Sequence, residues 1–311
     1  MSRTFVFFVI VGWLGSGIAE AQTIYWTDIG SRKIQRLDLE QWSVQDLVTE
    51  GVFQPSAIAL DEIRGKIYWT ETSPADFQIW EADLDGRDVR FLIEGLSNPS
   101  GIAVDPQGAK IYWTDIGSRK IQRANLDGTG REDLVSAGLE QPVDLALDIT
   151  HGKLYWTEAS PGDYVVFRAN LDGSEVQGIV EATGSPGSGI AVDPVGAKMY
   201  WTEWSPGKIR RANLDGTAPE DLVTVSVQEP VRITLDPLSD KMYWTEGSPA
   251  DFMVSRANLD GSGIEFLVDS LLSPSGIAVL PRAAPVRVRP TTWTQLKQRF
   301  EGDSNNRGER P

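Results

Sequence analysis

From Ile24 onward the chain alternates short runs rich in β-branched and aromatic residues with clusters of turn-forming residues, and the runs recur in sets of four. Between Pro99 and Leu139 they read Gly-Ile-Ala-Val-Asp at 101–105, Lys-Ile-Tyr-Trp-Thr at 110–114, Lys-Ile-Gln-Arg-Ala-Asn-Leu at 120–126 and Glu-Asp-Leu-Val-Ser at 132–136. Ile, Val, Tyr, Trp and Thr suit a pleated, half-buried backbone, so each run predicts a strand. The breaks at Asp105-Pro106-Gln107-Gly108, at Asp127-Gly128 and at Pro142 carry the residues that turns select.

The sets are copies of one unit. Tyr-Trp-Thr followed by an acid begins at Tyr25, Tyr68, Tyr112, Tyr155, Tyr200 and Tyr243, at spacings of 43, 44, 43, 45 and 43 residues. Four short antiparallel strands at a period in the low forties describe a propeller blade. The first unit lacks a Gly-Ile-Ala-Val run before its Tyr-Trp-Thr, and the last such run, at 276–280, has no Tyr-Trp-Thr after it. Each end supplies what the other lacks. The expected fold is therefore all-β: a six-bladed β-propeller of four-stranded antiparallel blades over residues 22–281, closed by the C-terminal strand 276–280 joining the N-terminal blade, with no open sheet edge at the seam.

Six in-phase Tyr-Trp-Thr-[Asp/Glu] units with Lys-Ile-x-Arg-Ala-Asn-Leu-Asp-Gly downstream resemble the class B repeat of the low-density lipoprotein receptor, the YWTD six-bladed propeller family, from Ile24 to Leu280. The acid is Asp at Asp28 and Asp115 and Glu at Glu71, Glu158, Glu203 and Glu246. The first unit reads Leu39-Glu40-Gln41 where the others read Leu-Asp-Gly, so its outer hairpin turn should differ. The cysteine-rich modules that flank animal receptor propellers are absent, which argues against a lipoprotein-receptor role. The resemblance implies that the acid holds backbone hydrogen bonds between blades. Both faces of an inner strand are covered in a propeller, so Tyr25, Tyr68, Tyr112, Tyr155, Tyr200 and Tyr243 and their neighbours Trp26, Trp69, Trp113, Trp156, Trp201 and Trp244 are expected in the core. Each indole buries ~150–250 Å², about 4–6 kcal/mol gross at ~25 cal/mol/Å². The motif reads as scaffold rather than as a catalytic or metal ring, because acid–base chemistry needs carboxylates in unlike environments and sixfold repetition supplies like ones.

Function is then expected where the repetition fails or where loops reach solvent. The loop after the acid and the linker before each first strand open on one end of the ring, here called the top. From the acid to the aligned leucine is 11 residues in units one, three and five and 13 in units two, four and six, so long and short loops alternate. Residues 24–36 and 111–123 are identical, Ile-Tyr-Trp-Thr-Asp-Ile-Gly-Ser-Arg-Lys-Ile-Gln-Arg. The short loops carry Ile29 with Arg32, Ile116 with Arg119, and in the fifth unit Trp204 with Gly207. An apolar residue beside a charged one on a rigid loop is a recognition hot-spot pattern, and Trp and Arg are favoured in it. The long loops carry Asp and an aromatic, with Tyr164 the candidate among them. Where the linkers meet the channel the residues are Ala57, Gly101, Asp144, Gly189, Arg232 and Gly276. Asp144 and Arg232 break that symmetry, either as a polar ligand site at the top of the channel or as a salt-bridged pair of modest value.

Composition narrows the partner. Arg3, an apolar run from Phe5 to Leu14 and the small residues closing on Ala21 have the form of a secretory signal peptide over 1–21, which places the protein outside the cytoplasm, extracellular or periplasmic. There is no cysteine, so burial alone must stabilise the fold. The formal net charge is −15, and the segment 282–311 is basic and reads as a disordered tail, which leaves the propeller more acidic than the whole. Such a body disfavours nucleic acid and fits an extracellular protein or peptide ligand of cationic character, bound by a monomer with no membrane span and no cofactor or metal. The competing reading is a metal-dependent hydrolase or lactonase with its site at the channel mouth. Such a site needs Asp, Glu and Asn from several blades, and here glycine or alanine fills four of the six mouth positions.

Overall fold

In the computed structural model, which describes residues 21–73, 77–159, 164–181, 187–248 and 252–281, every element is a β-strand. Blade I contains β1 (Ala21–Asp28), β2 (Lys33–Asp38) and β3 (Ser43–Val48); blade II contains β4 (Pro55–Asp61), β5 (Lys66–Glu71), β6 (Gln78–Asp83) and β7 (Arg90–Ile93). Blade III contains β8 (Pro99–Asp105), β9 (Lys110–Asp115), β10 (Lys120–Asn125) and β11 (Glu132–Val135); blade IV contains β12 (Pro142–Asp148), β13 (Lys153–Glu158), β14 (Tyr164–Asn170) and β15 (Gln177–Glu181). Blade V contains β16 (Gly187–Asp193), β17 (Lys198–Glu203), β18 (Lys208–Asn213) and β19 (Glu220–Val223); blade VI contains β20 (Pro230–Asp236), β21 (Lys241–Glu246), β22 (Met253–Asn258) and β23 (Glu265–Val268). The last strand, β24 (Pro274–Pro281), pairs with β1 as the innermost strand of blade I, with Tyr25 opposite Ala278 and Trp26 opposite Ile277. The closure expected from the complementary ends is the one observed.

The core is six clusters lying between blades rather than within them. Each joins the tyrosine of one blade to the tryptophan of the next: Tyr25 with Trp69, Tyr68 with Trp113, Tyr112 with Trp156, Tyr155 with Trp201, Tyr200 with Trp244, and Tyr243 with Trp26. Consecutive residues of a strand point to opposite faces, so Tyr-Trp reaches both neighbours at once. The threonine that follows ties the blades at the channel. Thr27 donates to the Ser56 carbonyl of blade II and accepts from the Gly276 amide, and Thr70, Thr114, Thr157, Thr202 and Thr245 donate to the corresponding carbonyl of the next blade.

The outer turn of blade I differs as its sequence predicts. In blade III, Gly128 sits at φ 82°, and a Cβ there would lie 2.5 Å from the Leu92 carbonyl oxygen of blade II. Blade I has Gln41 at that position and forms a tighter hairpin, adding the pairs Leu37↔Val44 and Asp38↔Ser43 and capping Glu40 and Gln41 amides with the Asp38 carboxylate. Trp42, at φ 52°, is left 57% exposed. Among the described residues no helix is long and apolar enough to cross a membrane.

Candidate functional site

The acid of the motif binds the linker that enters its own blade. Asp28 accepts from the Leu272 and Ser273 amides, and Asp115 from Ser97 and Asn98. Glu71 accepts from Phe53 and Gln54, Glu158 from Glu140 and Gln141, and Glu246 from Gln228. The choice between Asp and Glu follows the indole beside it. Glu71, Glu158, Glu203 and Glu246 reach back to the Nε1–H of the tryptophan two residues earlier. Asp28 and Asp115 are one methylene too short for that; they cap their own loop at the Ser31 and Ser118 amides, and the indoles of Trp26 and Trp113 donate instead to Gln35 and Gln122. Burial raises the carboxyls of Glu71 and Glu158 above the usual range, opposed by the hydrogen bonds they accept.

These carboxylates make the short loops rigid. The Ile29 and Ile116 amides donate to the Ser273 and Asn98 carbonyls at 2.9 Å. Gly30 lies so close to Leu272 that a Cβ would stand 2.5 Å from that side chain, and Gly117 makes the same approach to Ser97. Arg32 and Arg119 adopt left-handed backbone, φ 58° and 55°, and are exposed, while Ile29 and Ile116 are half-buried beside them. The fifth loop is built otherwise. Gly207, at φ 82°, leans on the Gln228 carbonyl of the following linker, and Trp204 projects with 48% exposure next to Gly247 of blade VI. Beneath it Glu203 is held by the Trp201 indole and by Arg210, which also pairs with Asp221 at 2.8 Å. The three short loops occupy alternate blades, so Ile29, Arg32, Ile116, Arg119 and Trp204 are spread around the top and not gathered into one cleft. Tyr164 opens β14, and its side chain falls outside the described residues.

Asp144 and Arg232 are buried, not displayed. Arg232, from blade VI, crosses the channel mouth to donate to Ser100 Oγ of blade III, the blade opposite, at 2.9 Å. It also donates to the Ser188 and Val143 carbonyls, and its Nε lies 3.7 Å from Asp144 Oδ2. Asp144 accepts from the Ile190 amide; burial raises its carboxyl and Arg232 works against that shift. Gly101, Gly189 and Gly276 are required where first strands converge: a Cβ at Gly189 would lie 2.7 Å from Arg232 Cα, and at Gly276 2.8 Å from Ala57 Cα. Below this pair the channel is a cavity of about 300 Å³ whose walls mix aliphatic side chains, among them Ala59, Ala146 and Ile233, with exposed polar atoms. Among the described residues no group of three or more His, Asp or Glu side chains is placed to hold a metal ion. The lone histidine, His151, sits in a bottom turn against Asp148 at 2.8 Å.

Two features escaped the sequence reading. One is the bridging role of the threonines, whose sixfold presence was the signal. The other is a charge reversal in blade II, where Glu81 and Arg90 stand in the positions of the Arg and Glu or Gln of other blades. The aligned column Arg36, Glu81, Arg123, Arg168, Arg211, Arg256 contains that signal.

A six-bladed ring closed by its last strand, with an indole and an acid repeated at each inner sheet, defines a YWTD propeller. The chain belongs to the low-density lipoprotein receptor repeat class B family, whose model matches residues 109–149, 152–194, 197–237 and 240–281. Each match runs from the second strand of one blade to the first strand of the next, the same offset that produces the closing strand. Nidogen-2 of Mus musculus is 37% identical over 70 residues, which is 22% of this chain and 5% of that protein. Nidogen of Drosophila melanogaster is 40% identical over 116 residues, 36% of this chain and 8% of that protein. The chain therefore spans less than a tenth of the length of these curated relatives. Among solved structures, a chain of the nidogen/laminin complex superposes with a TM-score of 0.72 at 23% identity, covering 83% of this chain and 97% of that one. A gluconolactonase from Xanthomonas campestris gives 0.60 at 21% identity, covering 71% and 78%. At these identities the superpositions show the shared fold.

Proposed function

We propose that the protein is a secreted, non-enzymatic binding module whose top face captures a protein or peptide partner of cationic character. The observation that carries this reading is Trp204, a half-exposed indole on a loop anchored from below by Glu203, Arg210 and Asp221, at the place where the duplicated Ile-Gly-Ser-Arg sequence gives way. A large side chain held in place loses little entropy on binding, which is what a hot spot requires. Ile29, Arg32, Ile116 and Arg119 form the flanking contacts on the alternate blades, with Tyr164 at the head of β14 a further one. The acidic body favours a cationic partner through long-range attraction. Asp144 and Arg232 set the shape of the mouth from inside. Similarity to a chain of the nidogen/laminin complex supports a protein ligand, and the N-terminal pattern supports export. Tested by affinity capture from the native extracellular fraction, Trp204→Ala should lose most of the captured partner. Val195→Ala, at a 95% exposed bottom position, should retain it. Equal capture by both variants would remove the top face from consideration.

The enzymatic alternative has the gluconolactonase fold likeness in its favour. Its test is metal analysis of the purified protein: stoichiometric tightly bound calcium or zinc would favour the hydrolase.

A further inference from the structure

At four blade junctions an arginine of the third strand reaches the outer turn of the next blade. Arg36 donates to the Leu84 carbonyl at 3.3 Å, Arg123 to Leu171 at 3.1 Å, Arg168 to Leu214 at 3.2 Å and Arg211 to Leu259 at 2.9 Å. Each guanidinium is steadied by a fourth-strand partner nine residues on: Gln45, Glu132, Gln177 or Glu220. The motif tyrosine shares the arrangement. Tyr25, Tyr155 and Tyr200 donate to the same leucine carbonyl, and Tyr112 accepts from Arg123.

The junction between blades II and III lacks its guanidinium. Glu81, 2% exposed, points where the arginine stands elsewhere, and Arg90 folds over it from the solvent side with both contacts on Oε1, at 2.6 and 2.5 Å. Among the described residues, Glu81 Oε2, the Leu126 carbonyl and the hydroxyl of Tyr68 receive no hydrogen bond from the chain, and they open onto one space rather than being sealed in the core. Burial, and then the Glu81 and Asp61 carboxylates, keep that hydroxyl protonated. Glu81, Tyr68 and Leu126 border one cavity of about 460 Å³ at the bottom end of the ring. The other charges around it are already matched: Lys66 with Asp83 at 2.5 Å, and Arg64 with Asp61 at 3.0 Å and the Pro106 carbonyl. Asp127, bonded to Thr129 and within the field of Lys110, adds a further carboxylate at the rim.

We infer that this cavity receives the guanidinium of an arginine side chain carried by a protein or peptide partner. A carbonyl, a phenol and a carboxylate oxygen are left facing one space, and in the junction between blades III and IV the first two are served by the Arg123 guanidinium. Several acceptors converging on one space are matched best by a charge-assisted donor in fork geometry. A compact ammonium reaches fewer of the three acceptors at once. Because the cavity lies at the opposite end of the ring from the Trp204 loop, loss of capture in Trp204→Ala does not bear on it.

The experiment titrates the full chain with N-acetyl-L-argininamide, with N-acetyl-L-lysinamide as comparator, by calorimetry and by NMR shifts. Saturable binding of the arginine derivative in the millimolar range, at least about tenfold tighter than the lysine derivative, is expected. Glu81→Arg combined with Arg90→Glu gives blade II the pair used by its neighbours. It should abolish that binding and raise Tm by a few degrees, on the order of 1 kcal/mol. If that variant does not fold, Glu81→Gln keeps the shape and should weaken binding about tenfold or more. Absence of saturable binding to the natural chain, equal binding by the substituted chain, or equal affinity for the lysine derivative would overturn the assignment.

Discussion

In blades I and III the indoles of Trp26 and Trp113 donate to Gln35 and Gln122, which donate in turn to Asp46 and Asp133, where Lys33 and Lys120 also dock. In blades II and IV the same sheet position holds Trp80 and Phe167, stacked on Trp69 and Trp156 at 6.2 and 5.5 Å, and the indole N–H turns to Glu71 or Glu158. Phe91 extends the stack in blade II, edge-on to Trp80. Blade V mixes the two designs, with Arg210 over Trp201 at 5.2 Å and bonded to Glu203 and Asp221. The wedge between blades can thus be filled by a polar relay or by stacked rings, provided that the indole N–H finds an acceptor. In blades I to IV loop length goes with that choice, because the Asp that leaves the indole to glutamine is free to cap a short loop; blade V keeps a short loop with Glu203 on the indole.

The largest expected contrast is Trp80→Ala against Gln35→Ala. Removing the ring should cost about 3 kcal/mol or more in denaturant unfolding, against about 1–2 kcal/mol for leaving the Trp26 N–H without its acceptor. Equal losses would mean that the two fillings are not energetically distinct. A smaller effect sharpens the Asp and Glu rule. Gln122→Met should cost about 1–2 kcal/mol by stranding the Trp113 N–H, and adding Asp115→Glu should recover part of it, since a glutamate there can serve the indole as Glu71 does. Additive losses in that double-mutant cycle would break the rule.

The smallest effect is on acid sensitivity. Hydrogen bonds from Lys33, Lys120 and Lys208 hold the Asp46, Asp133 and Asp221 carboxyls below their ordinary range. Groups lowered in this way stabilise the fold above their unfolded value, near 4, and lose that contribution as pH falls through the lower folded value. Glu71 and Glu158, raised by burial, act in the opposite sense: their contribution is complete below the unfolded value and is lost as pH rises through the folded one. Hydrogen exchange compared at about pH 5.5 and 3.5 should therefore show protection in β2–β3 and β10–β11 falling more than in β6–β7. Uniform loss across the blades would contradict it.

The fold was legible because six copies of one pattern each carry the same information, and the missing first strand of unit one is answered by residues 276–280. The alternation of long and short loops was legible too, and so was the confinement of Asp to units one and three, but the cause of that confinement was not. Gln35 and Gln122 lie nine residues from the indoles they serve, and only strand register brings them together. Asp144 and Arg232 stood out as a break in symmetry, yet whether they faced solvent depended on where an arginine three blades away from Ser100 would reach. The Glu81 and Arg90 reversal conserves charge within the unit, so composition hides it and only the column of equivalent positions reveals it. The signal-peptide pattern and the basic tail lie outside the described residues.

The pairing of β24 with β1 has a consequence for the order of events during synthesis. Once Asp269 has emerged from the ribosome, blades II to VI can be complete, but blade I has three strands and an unpaired inner edge. The bonds that finish it, from Gly276 to Thr27 and from Leu272 and Ser273 to Asp28, join residues 244 to 249 positions apart. Together with the β1–β24 strand pairs they carry the highest loop-closure entropy in the ring. Until they form, the nascent chain exposes a strand edge able to pair with another copy, so the step that completes the architecture also ends its period of greatest vulnerability to aggregation.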